Sequence, residues 1–119
     1  MLDINRFKRI NDEFGHAEGD AALIKVAEIL KSSVGALGCV IRYAGDEFVI
    51  LLNTKQPEII DGCIRTILRK LTEENEKANK KYDLKLSIGA CPISVQAPTL
   101  EAMINEADRL MYIEKKQVR

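Results

Sequence analysis

The sequence predicts an α+β fold, an antiparallel central β-sheet flanked by helices, and three observations carry that expectation. Two short runs, Cys39–Tyr43 and Glu47–Leu52, are β-branched and aromatic, and only Ala44-Gly45-Asp46 joins them, which makes a hairpin. Segments on either side repeat their apolar residues at helical spacing. The chain has 119 residues, 46% apolar and 30% charged, which suits one domain with its own core.

Met1 to Ile4 reads as the tail of a strand. Phe7, Ile10 and Phe14 then share one helical face, and Gly15 ends that helix by the usual glycine rule. A second helix carries Leu23, Val26, Ala27, Leu30 and Val34 inward, with Glu18 and Asp20 near its start, where the helix dipole favours acids. Gly35 and Gly38 bracket a loop that leads into the hairpin. A third helix is expected from Pro57 to Lys80, with Ile60, Cys63, Ile64, Ile67, Leu68 and Leu71 inside and a solvated end over Glu73–Lys81. Leu84–Ser94 reads as a strand, because Leu84, Leu86, Ile88 and Ala90 alternate with Lys85, Ser87 and Gly89. Pro98 and Thr99 open a last helix that turns Leu100, Met103, Ile104, Ala107, Leu110 and Met111 inward. No repeat or low-complexity linker interrupts the chain.

Composition narrows the function. Lys plus Arg is 18 and Asp plus Glu is 18, so the formal net charge is zero. That argues against a nucleic-acid binder or direct membrane contact, since counterion release and anionic lipid both need a basic face. No apolar run approaches the roughly 18 residues of a membrane span, and the N-terminus lacks a signal-peptide pattern. The three cysteines are odd in number and widely spaced, and His16 is the only histidine. A disulfide framework or structural zinc site is not expected. Cys39, Cys63 and Cys91 each read first as a small buried hydrophobe, and a reduced, cytoplasmic protein is the expectation.

Three polar groups stand where chemistry could sit. Asp3 ends the opening strand; Asn11 lies on an apolar helical face, with Asp20 nearby in sequence; Arg42, Gly45, Asp46 and Glu47 surround the hairpin tip. Each alone has a plainer role: Asp3 as a helix cap, Asp20 as a first-turn acid, Gly45-Asp46 as a tight turn, His16 as a surface or cap residue. Together they suit more. A strand-end carboxylate beside hairpin-tip carboxylates is how palm-type nucleotidyl transferases hold Mg²⁺, which takes hard oxygen ligands and keeps waters or substrate phosphates. A glycine at the tip lets phosphate approach the backbone. An amide and a carboxylate suit guanine: the amide donates to O6 or N7, and the carboxylate accepts from N1–H and the 2-amino group.

Arg42-Tyr43-Ala44-Gly45-Asp46-Glu47-Phe48-Val49-Ile50 resembles the signature hairpin of the GGDEF family, the diguanylate cyclases. Asp3-Ile4-Asn5-Arg6-Phe7-Lys8-Arg9-Ile10-Asn11-Asp12, followed by Phe14-Gly15-His16 and Gly19-Asp20, is similar to that family's opening motif. Ser87-Ile88-Gly89 and Ala107-Asp108-Arg109-Leu110-Met111-Tyr112 resemble its later strand and last helix. The resemblance runs in order over nearly the whole chain. It implies a palm-like nucleotide cyclase fold over residues 1–119, with the first strand truncated and the preceding helix missing.

The resemblance further implies that two GTP molecules are joined into cyclic di-GMP across a homodimer with Mg²⁺ (or Mn²⁺). Asp3 and Asp46 would be metal ligands, the Ile4 carbonyl would assist and Glu47 would support them. Asp46 would also accept the 3′-hydroxyl proton. Asn11 and Asp20 would read guanine, with His16 near the nucleotide. Lys8 and Arg42 would face the phosphates, Gly45 would admit them, and Lys115 and Arg119 would grip the terminal one. Sensor or effector domains would accompany this one in the parent chain. The sequence departs from the family pattern at five points. Ala44 replaces the first signature glycine, Asn5 the second acid of the opening motif, and Val118 the glycine before the last arginine. Gly35 and Gly38 stand where an inhibitory Arg-x-x-Asp product site would be, and the chain starts two residues before Asp3. The competing expectation is a degenerate domain that binds GTP without turnover and regulates a neighbour.

Overall fold

The computed structural model describes residues 1–54, 56–77, 81–92 and 97–118. The elements run β1 (Leu2–Ile4), α1 (Phe7–Phe14), α2 (His16–Val34), a 3₁₀ turn (Gly35–Leu37), β2 (Gly38–Ala44), β3 (Glu47–Leu52), α3 (Pro57–Asn75), β4 (Leu86–Ile88) and α4 (Leu100–Val118). The four strands are ordered β2-β3-β1-β4, and each neighbouring pair is antiparallel. The expected α+β fold, with helices on a central antiparallel sheet, is what the chain adopts.

The short β1 lies inside the sheet, and its alternation places the first candidate residue. Leu2 pairs with Phe48 and Ile88, and Ile4 with Leu86. These side chains join Val26 and Leu30 of α2 and Cys63, Ile67 and Leu71 of α3 in the main core. Successive strand residues point to opposite faces, so Asp3 must turn to the other face. There a smaller cluster joins Met1 and Val49 to Ala107 and Met111 of α4. Gly89 lets α4 come this close: a methyl group there would fall 2.0 Å from the Ala107 carbonyl oxygen and 2.4 Å from the Met111 nitrogen.

Several expectations are corrected. α3 ends at Asn75, not Lys80, because the Asn75 amide pairs with the backbone of Leu84, accepting at 2.8 Å and donating at 2.9 Å. β4 covers only Leu86–Ile88, the stretch that finds partners on β1; Leu84 is still buried. Lys80 and Ser94 lie outside the described residues. Ser87 is fully buried rather than on an open polar face. Leu68 and Leu100, expected inside, are exposed. Cys63 is buried, but Cys39 is exposed. Cys39 sits on the outermost strand, on the face opposite Val40, and only Val40 packs against the main core. Among the described residues no helix is long and apolar enough to cross a membrane.

Candidate active site

The hairpin tip closes against β1. Gly45 has φ 43°, a left-handed conformation that glycine adopts without steric cost. Arg42 donates from Nε to the Gly45 carbonyl at 2.9 Å, and a register shift between Arg42 and Ala44 skews the end of β2. Ile4 N–H donates to the Asp46 carbonyl at 3.2 Å, and Asp3 lies opposite Glu47. The Asp46 backbone is thus fastened beside Asp3, and its carboxyl feels the Asp3 charge. Burial pushes the Asp46 pKa up to about 6, helped by the neighbouring Asp3 carboxylate. Glu47 is also raised, first by burial and then by the charges of Asp3 and Asp108. Asp3 itself is only 4% exposed. Its Oδ2 accepts from Lys115 Nζ at 2.6 Å, and its buried Oδ1 has no hydrogen-bond partner.

Two anchors aim Lys115 at this point. Gly89 seats α4 on the sheet, and the Glu114 carboxylate accepts the Ile88 N–H at 3.2 Å, one residue before Lys115. Asn5, next to Ile4, is fastened as well: its N–H donates to the Lys85 carbonyl at 2.8 Å, and Ser87 Oγ donates to its Oδ1 at 2.6 Å. Arg6 follows in the left-handed region at φ 57°, uncommon outside glycine, and turns the chain into α1.

The remaining candidates gather at the α1–α2 corner. Gly15, with φ 91°, is the whole link between the two helices. Phe14 packs on Tyr82 with ring centroids 5.2 Å apart, and the Tyr82 hydroxyl donates toward Glu18 at 3.3 Å. Burial and the Glu18 charge push the Tyr82 pKa up to about 12. Asn11 is half-buried beside Gly19, while Lys8, His16 and Asp20 are exposed.

The structure therefore joins Asp3, Ile4, Asp46 and Lys115, and separately clusters Asn11 with the Gly19-Asp20 turn of α2. Arg42 braces the hairpin through Gly45 rather than standing free. Arg119 lies outside the described residues. Among the described residues no three acidic, histidine or cysteine side chains lie together as a metal cluster, so Asp3, Asp46 and Glu47 do not complete a three-carboxylate set. Two acids and a carbonyl still fit Mg²⁺, which is commonly held by one or two carboxylates plus substrate phosphates, and the unpartnered Asp3 Oδ1 is a lone-pair donor without an internal use. An apolar cavity of about 550 Å³, lined in part by Val49, Leu51, Ile60, Ile64, Met103 and Ile104, has none of Asp3, Asp46 or Glu47 in its wall. Its lining carries no charged side chain. The sequence did not mark Ser87, Gly89, Glu114 or Gly19 as positioning residues; Gly19, Ser87 and Gly89 stood out only as members of the resembling motifs.

The comparisons give the family. Residues 1–119 match the model of the diguanylate cyclase GGDEF domain, and the chain belongs to that family. It is 32% identical to diguanylate cyclase A of Treponema denticola, covering 100% of this chain and 32% of that protein. It is 35% identical to the diguanylate cyclase DosC of Escherichia coli, covering 100% and 26%. Among solved structures, the GGDEF domain of TpbB (YfiN) from Pseudomonas aeruginosa matches with a TM-score of 0.87 at 30% identity, over 99% of this chain and 70% of that one. The active GGEEF domain of a diguanylate cyclase from Vibrio cholerae matches at 0.84 with 26% identity, over 98% and 74%. The chain spans about a third or less of these curated relatives.

Proposed function

We propose that this domain condenses two GTP molecules into cyclic di-GMP with Mg²⁺ (or Mn²⁺), each of two copies presenting one GTP to the other, so that each 3′-hydroxyl attacks the α-phosphate of the other GTP and pyrophosphate leaves. The observation that supports the reading is buried Asp3 at the hairpin tip, set opposite Glu47 and next to Ile4, which holds the Asp46 carbonyl; its free Oδ1 and its Lys115 neighbour suit a cation and a phosphate. Asp3 and Asp46, with the Ile4 carbonyl, would hold the metal, and Glu47 would add negative charge beside them. The bound ion would neutralise phosphate charge and favour an ionised hydroxyl. Asp46 would also take the proton from the 3′-hydroxyl onto its carboxylate. Lys115, Lys8 and Arg119 would hold the phosphates, with Gly45 leaving room at the tip. Asn11 and Asp20 would bind the guanine edge, and His16 would flank it. Phosphoryl transfer is chiefly positioning and charge stabilisation, which is what these residue types supply.

The departures from the family pattern sit comfortably with this reading. Ala44 does not have a positive φ, so its methyl group strains no turn. At Gly38 a Cβ would lie 1.9 Å from the Leu51 carbonyl oxygen, so the position accepts no aspartate without moving the strand. The test is to incubate the protein with GTP and Mg²⁺ and follow cyclic di-GMP by chromatography. Product is expected. A folded, dimeric protein that binds GTP and makes none would be the regulatory module instead.

A further inference from the structure

We propose that Gly19 is a specificity-determining position: its missing side chain leaves the space in which the Asn11 amide is aimed at the base. The inference rests on the guanine reading above. Gly19 is buried at the fourth residue of α2, and its φ is not positive, so the backbone there does not require glycine. Within a helix alanine is favoured over glycine by about two- to fivefold in the folding equilibrium. The local reason for glycine is a neighbour. A Cβ on Gly19 would fall 1.7 Å from Asn11 Oδ1 and 2.8 Å from Asn11 Cγ, and the next nearest atom is Asn11 Nδ2 at 3.5 Å. All three belong to one amide. Two backbone bonds hold Gly19 and Asn11 in this relation: Gly15 N–H donates to the Asn11 carbonyl at 2.9 Å, and Gly19 N–H donates to the Gly15 carbonyl at 3.1 Å.

The chemistry follows from which atoms would collide. The clash is with the end of a side chain, not with backbone, so a methyl group at Gly19 rotates the amide and leaves the helices in place. An amide turned away cannot donate to the guanine edge, and Asp20 alone reads the base. Gly19 thus acts through Asn11, as a positioning residue rather than a catalytic one.

The experiment measures GTP and ATP affinity by calorimetry for the full chain and for Gly19→Ala, Asn11→Ala and the double variant, with thermal midpoints for each. Gly19→Ala is expected to lose about tenfold or more in GTP affinity, the cost of one hydrogen bond to a desolvated base edge, with ATP affinity unchanged. Its midpoint stays level or rises. The double variant is expected to match Asn11→Ala within about twofold, because the collision is gone once the amide is gone. Gly19→Ala binding GTP as well as the parent would overturn the inference. So would parallel losses for both nucleotides with a lowered midpoint, or additive losses in the double variant. A parent that does not prefer GTP over ATP overturns the guanine reading itself, and this inference with it.

Discussion

The acid end and the base end of the candidate site are built on opposite principles. At the acid end, Asp3 is buried in a central strand, ion-paired to Lys115 from 112 residues away in sequence, and close enough to Asp46 to raise its pKa. At the base end, Asp20 and His16 are exposed on the first turns of a helix, and Asn11 is held in place by local geometry around Gly15 and Gly19. One end depends on the whole sheet and the last helix; the other depends on a corner of a dozen residues. Substitutions at the acid end should therefore change stability, charge and rate together. Those at the base end should change which nucleotide binds and little else.

The hardest test of that contrast is Asp46→Asn, which keeps shape and removes charge. The rate of cyclic di-GMP formation should fall by at least about 100-fold, as for other preorganised electrostatic groups. The metal-free protein should at the same time become slightly more stable above pH 6. A carboxyl whose folded pKa of about 6 exceeds the ordinary aspartate value of 3.8 contributes stability that is fully present below 3.8 and is lost as pH rises through about 6. Asn removes the penalty; for a half-exposed group the gain is at most about 1 kcal/mol, a few degrees in Tm by calorimetry. A lowered Tm at pH 7.5 would break the account of the acid end.

Next in size is the pH profile of the parent. Asp46 must be ionised to bind a cation, so the apparent affinity for GTP with Mg²⁺ should drop up to about tenfold per unit as pH falls below the Asp46 pKa of about 6. An affinity that stays flat between pH 5 and 7 would remove Asp46 from the metal site. At the base end, Asp20→Ala should cost about tenfold in GTP affinity, with ATP affinity and Tm unchanged. Equal losses for both nucleotides in calorimetry would erase the distinction between the two ends. The smallest effect is expected for Ala44→Gly: activity equal to the parent or up to about threefold higher, since only a methyl group near the phosphate path is removed.

Much of the fold was legible because its signals are local. The hairpin followed from two β-branched runs around a short glycine link, and the four helices from their apolar spacing. What was not legible depends on partners far away in the chain. Ser87 looks like the polar half of an alternating strand, yet it is buried because Asn5 offers it an acceptor. Leu68 and Leu100 fit their helical stripes but face outward. α3 stops where the Asn75 side chain meets Leu84, a contact with no periodic signature. The site followed the same rule. Asp3, Asp46 and Gly45 stood out by residue type and position, whereas the clearance made by Gly19 and Gly89 exists only between elements and leaves no local mark.

The ion pair between Lys115 and Asp3 also sets an order of events under the proposed function. While no ligand is present, the ammonium group serves as a stand-in cation for the buried acid, so a bare divalent ion must first displace it. A triphosphate arriving with its own metal would remove that obstacle, because Lys115 would gain a new anionic partner and Asp3 would be free to hold the ion. Loading the site is then an exchange of partners in which the two ligands favour each other, and free Mg²⁺ alone would leave the site closed.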